Sequence, residues 1–164
     1  MTRTDLPDRD SPADAAPPLL ELRDLHTTFE TEQGRVPAVA GVNLRVDAGE
    51  TLAVVGESGS GKSVTALSIL RLFNRGDQAR VSGEIRWRQR DGTCIDLARL
   101  DEPGLRPMRG REIAVIFQDP GASLDPVFSI GAQLRETVRR HRPEADAQAL
   151  AVDLLRDVGI ADPE

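Results

Sequence analysis

Residues 54–67 read VVGESGSGKSVTAL, with three glycines, three serines and one lysine set between two apolar stretches. The stretch before, TLAVV, is short, continuous and apolar, the pattern of a strand buried on both faces. After Gly61 the period changes. Val64, Ala66, Leu67, Ile69, Leu70, Leu72 and Phe73 cover most of a helix circumference, so the spacing predicts a largely buried helix. A strand that turns through a glycine loop straight into a helix commits the chain to an α/β architecture. Lys62, inside that loop, is the only lysine; every other one of the 21 basic residues is arginine.

The loop fits Gly56-x-x-x-x-Gly61-Lys62-Ser63, the P-loop pattern. Glycines let the chain curl so that backbone N–H groups point inward as an anion nest. A helix opening at Gly61 brings its positive dipole end to the same spot. A lysine reaches β- and γ-phosphates as a compact point charge, where an arginine's planar fork is bulkier and fixed. The predicted phosphate cradle is Gly56, Glu57, Ser58, Gly59, Ser60, Gly61, Lys62, Ser63 and Val64, with the Ser63 hydroxyl a ligand for Mg²⁺. The loop alone predicts a nucleoside triphosphate and Mg²⁺ as ligands; that the nucleotide is ATP is implied by the resemblance given below.

Elsewhere, residues 19–30 read as a strand with one polar face, and TEQGRVPA as a loop. Val42, Leu44 and Val46 alternate with polar residues, as do Val81, Gly83, Ile85 and Trp87; both runs predict strands, the first half-buried. QRDGT reads as a hairpin connection and CIDL as its return strand. IAVIF, 113–117, reads as a second fully buried strand. Amphipathic helices are expected over about 130–141 and 144–158, with Pro143 starting the second. Residues 1–18, rich in Asp, Pro and Ala, read as a disordered lead-in without the apolar core of a secretory signal.

Twenty-seven acidic against 21 basic residues, net −6, argue against a nucleic-acid partner. No apolar stretch is long enough to span a bilayer. One cysteine, Cys94, allows no intrachain disulfide and reads as a strand residue; the expectation is a soluble chain in a reducing compartment. His26 and His141 lack metal-ligand spacing and read as structural or surface positions, and the arginines at 135, 139, 140 and 142 as a solvated helix face.

GETLAVVGESGSGKSVTALSILRL resembles the start of an ABC transporter ATP-binding subunit. MRGREIAVIFQDPGASLDPVFSIGAQL, residues 108–134, narrows the likeness to the importers of dipeptides, oligopeptides and glutathione. The resemblance covers about residues 19–164. It implies a P-loop NTPase core with an N-terminal antiparallel β-subdomain, residues 19–164 forming a partial nucleotide-binding domain. It implies a Q-loop role for Gln118, touching Mg²⁺ and the attacking water; the residue types alone leave Gln118 an ordinary strand-end amide. It aligns Phe29 with the aromatic that stacks on adenine, the alternative being a strand core position. Val39 is a further candidate for touching the base. The DPGASLDP loop would help form the cleft for the permease, with Gly121-Ala122 where relatives often carry Met-Thr. Implied partners are ABC permease transmembrane subunits, a second ATP-binding domain and, indirectly, an extracytoplasmic solute-binding protein. The implied location is peripheral, on the cytoplasmic face of the inner membrane.

The sequence departs from that family after Glu164. No LSGGQ-like signature and no second apolar run ending in Asp-Glu are present, so no Walker B carboxylate or general base can be assigned. The chain therefore reads as truncated before both motifs, able to cradle phosphate but inactive alone. The resemblance also implies that strands of the missing half would flank LAVV and IAVIF, which would otherwise have exposed edges and faces. Two other readings stand beside an importer ATPase: a non-transport P-loop nucleotide-binding protein, and a catalytically inactive ATP-binding fragment. The solute is not legible.

Overall fold

The computed structural model describes residues 17–74, 76–119 and 121–163, without the side chain of Ala122. The chain divides into two compact units, one ending at Glu112 and the other beginning at Ile113.

The first unit is built on a four-stranded antiparallel sheet. Its strands are β1 (Leu20–Thr31), β2 (Gly34–Val46), β3 (Gln78–Arg88) and β4 (Cys94–Asp96), in the order β2-β1-β3-β4. The alternation in β1 predicts one buried face, yet Leu22 and Leu25 are both buried three residues apart. A bulge reconciles them. Asp24 adopts φ +48°, and the pairing of β1 with both neighbours shifts there. One extra residue re-phases the strand, so Leu22, Leu25 and Thr27 are all buried. β2 begins at Gly34, inside the loop expected over TEQGRVPA; its Pro37 pairs with Thr28 on an edge strand, where a missing N–H does no harm.

Helix α1 (Lys62–Leu70) packs on this sheet. It is shorter than predicted, because Arg71 turns left-handed (φ +49°) and its N–H caps the carbonyls of Leu67 and Ser68. Thr65, Ser68 and Leu70 are buried, while Ala66 is exposed. A 3₁₀ turn (Leu97–Arg99), a single helical turn α2 (Glu102–Leu105) and a second 3₁₀ turn (Arg106–Met108) carry Leu97, Leu105 and Met108 into the same core as Leu22, Ile85 and Leu70. Arg109 then reaches back. Its Nε and Nη2 donate to the Leu70 carbonyl at 3.0 and 2.9 Å, capping the end of α1 with positive charge. The same guanidinium pairs with Glu102, holding that carboxyl below the usual carboxylate range.

The second unit holds α3 (Ile130–His141) and α4 (Ala147–Asp157), which pack on each other and bury Val138, Ala147 and Ala151. Ser129 caps α3 by accepting from the Ala132 N–H. Asp146, not the stretch after Pro143, starts α4, accepting from the N–H groups of Gln148 and Ala149. Arg135 is half-buried and donates to Gln148 Oε1 at 2.8 Å, so it bridges the two helices and is not merely solvated.

The two apolar runs depart most from expectation. Residues 51–57 form no strand, and Val54 and Val55 are 54% and 89% exposed. In 113–117 only Ile113 makes a bridge, and Ile116 is 91% exposed. Among the described residues no strand pairs with either run. An apolar stretch becomes a buried strand only where neighbours supply hydrogen bonds and cover its faces.

Candidate functional site

Residues 56–63 fold as the spacing predicts: a turn through Ser58 and Gly59, then entry into α1. Gly61 is the N-cap residue and is left-handed, at φ +91°. It also lies against β2, where a Cβ would meet the Ala38 carbonyl oxygen at 2.6 Å. Gly59 is left-handed too (φ +80°) but faces open space. The pair gives a comparison. Gly59→Ala incurs only the backbone cost, about 1 kcal/mol. Gly61→Ala adds a backbone clash and is expected to cost about 2–3 kcal/mol, read from urea denaturation midpoints.

The first turn of α1 has no side-chain cap and no acidic residue. Its leading N–H groups are thus left for an outside acceptor, the electrostatic requirement for an anion. Lys62, half-buried, folds over the loop. Its Nζ donates to the carbonyls of Gly56 (2.8 Å) and Glu57 (2.6 Å), and lies 3.3 Å from Ser60 Oγ. All three of its donors are engaged inside the loop. Thr65 donates both its N–H and its hydroxyl to the Gly61 carbonyl, at 2.8 and 2.9 Å, which tightens the loop-to-helix junction. Ser63 is exposed on the first turn, Val64 is half-buried, and Glu57 and Ser58 are exposed.

Phe29 lies in the same unit, half-buried on β1. Its ring meets Phe73 edge to face, with centroids 5.5 Å apart. Val39 is 3% exposed and sits against Gly61, which leaves it no face for a base. Gln118 belongs to the second unit, in an exposed bend after the 113–117 run. His26 Nε2 lies 3.0 Å from Asp24 Oδ1 at the bulge, and Cys94 is an exposed residue of β4. Among the described residues no helix is long and apolar enough to cross a membrane.

The sequence reading missed the groups that hold α1 in place, namely Thr27, Ser68 and Arg109. One signal was available. Thr27 alternates with Leu25 and Phe29 on the core side of β1, where a polar residue needs a partner.

A glycine loop that opens a helix lying on an antiparallel sheet defines the class: an α/β protein of the P-loop kind. Solved structures agree on the fold. The dimeric structure of MJ0796, a bacterial ABC transporter cassette, superposes with a TM-score of 0.69 at 22% identity, covering 87% of this chain and 58% of that one. A post-hydrolysis state of the same cassette bound to ADP and Pi gives 0.66 at 20% identity, with the same coverage. The family model described as "ABC transporter" matches residues 39–163, and the chain belongs to that family. A peptide ABC transporter ATP-binding protein of Sinorhizobium fredii is 48% identical over 148 residues, 89% of this chain and 43% of that protein. A peptide import ATP-binding protein of Brucella melitensis is 46% identical over 147 residues, 88% of this chain and 44% of its own length. The glutathione import ATP-binding protein GsiA of Salmonella typhimurium is 44% identical over 133 residues, 81% of this chain and 21% of its own length. The chain thus spans less than half the length of these relatives.

Proposed function

We propose that the chain is the nucleotide-binding portion of an energy-coupling ATPase that drives import of peptides or related small solutes. The observation that carries this reading is the loop at 56–63, where an uncapped helix end and the only lysine in the sequence converge. The names of the relatives support the importer class.

In this reading the N–H groups at the start of α1 and the Lys62 ammonium hold the β- and γ-phosphates of ATP. Lys62 exchanges its two carbonyl acceptors for phosphate oxygens, trading neutral partners for charged ones. The Ser63 hydroxyl would ligate Mg²⁺, which would neutralise developing phosphate charge. Phe29 would offer its ring to adenine. ATP hydrolysis by the whole protein is part of the proposal; these 164 residues include no assignable general base. Alone, the chain is proposed to hold MgATP without turning it over. Permease subunits, a second ATP-binding domain and an extracytoplasmic solute-binding protein complete the proposed assembly, peripheral at the cytoplasmic face of the inner membrane.

Amide NMR tests the site. MgATP is expected to shift the amide signals of Gly59, Gly61, Lys62 and Ser63 more than those of α3 and α4. Equal or absent shifts at the loop would overturn the assignment.

A further inference from the structure

Among the described residues, three attachments hold α1 in place. Gly61 abuts the Ala38 carbonyl at its start, and Arg109 grips the Leu70 carbonyl at its end. The middle attachment is a pair of hydroxyls. Thr27 on β1 and Ser68 on α1 are both 0% exposed, and their oxygens lie 2.7 Å apart. Ser68 Oγ also lies 2.6 Å from the Val64 carbonyl, to which only a hydroxyl proton can be given. The direction of the chain follows. Thr27 donates to Ser68, and Ser68 donates to Val64. Leu25 and Leu70, themselves buried, belong to the same core. Sliding α1 along β1 would leave the buried Thr27 hydroxyl without its acceptor, while Ser68 keeps its bond to Val64 inside the helix, so the pair favours one register of the helix on the strand.

The same strand carries Phe29 two residues beyond Thr27, and Phe29 packs on Phe73, just past the end of α1. We infer that Thr27 and Ser68 form a positioning pair, setting the spacing between the Phe29 ring that would meet the base and the loop that would hold the phosphates. The inference rests on the nucleotide reading above. The pair touches neither base nor phosphate; it acts through α1.

The test compares two ligands on the full 164-residue chain, MgATP and magnesium tripolyphosphate. Tripolyphosphate needs only the loop, whereas ATP needs loop and ring at the right spacing. In the unmodified chain MgATP should bind more tightly. In Thr27→Val and in Ser68→Ala that advantage should fall about tenfold, the worth of one hydrogen bond, with tripolyphosphate affinity unchanged. Thr27→Ser keeps the hydroxyl and should keep the advantage; it supplies the reading if the valine variant does not fold. A folded Thr27→Val or Ser68→Ala with the advantage intact, or a folded Thr27→Ser without it, overturns the inference while leaving the phosphate site standing. Equal affinity for both ligands in the unmodified chain also overturns it, since no base contact then needs spacing. Binding of neither ligand removes the phosphate reading and the inference together.

Discussion

Lys62→Ala is expected to weaken MgATP binding by about 2–4 kcal/mol, or about 30- to 1000-fold, while the chain remains folded. The asymmetry between the two effects comes from what Lys62 touches. Its Nζ bonds run to carbonyls of its own loop, at Gly56 and Glu57, and tie no other element of the sheet. Losing them costs the resting protein little, because those carbonyls lie in exposed residues that water can reach. Losing the ammonium opposite a polyphosphate removes a charge contact that no other lysine can replace. Lys62→Arg separates charge from shape. It restores the positive charge but brings a planar fork, and is expected to recover only part of the affinity. Full recovery would mean that the loop reads charge alone.

Gly83→Ala is expected to be the most destabilising single change in the first unit, at about 3–5 kcal/mol. Gly83 sits on β3 opposite the β1 bulge, at φ +101°. A Cβ there would lie 2.4 Å from the Asp24 carbonyl oxygen and 2.8 Å from that of Arg23. Both are backbone atoms, so neither can swing aside as a side chain could. Relief requires undoing the bulge, which would re-phase β1 and turn Leu25 and Thr27 away from the core. Loss of Thr27 would also release α1, so the variant should lose nucleotide affinity with its stability. Denaturant unfolding measures the first effect. As a control, Gly49→Ala meets no atom within 4 Å at φ +76° and should cost only about 1 kcal/mol.

These two residues mark what a sequence discloses and what it withholds. Lys62 was legible because the P-loop is a local device; its glycines, lysine and helix start lie within eight residues, and chemistry alone requires their spacing. The β3–β4 hairpin and α3 were legible for the same reason, since period and turn residues are local. Gly83 was not, because its role depends on a left-handed aspartate on another strand. The Thr27–Ser68 pair was hidden similarly, two ordinary hydroxyls separated by 41 positions. The short turns over 97–108 were overlooked although Asp96 and Asp101 both cap them. The runs 51–55 and 113–117 teach the reverse lesson. Their composition reads as buried, but burial is conferred by neighbours, and among the described residues those neighbours are not present.

One loop, one ammonium and one helix end are proposed to hold a nucleotide's phosphates. Calorimetric titration of the folded chain with MgATP decides it. A saturable heat is expected, one that disappears when magnesium is chelated and is lost or greatly weakened in Lys62→Ala. A folded chain that gives no heat of binding, or one whose affinity is the same in Lys62→Ala, would rule the phosphate site out.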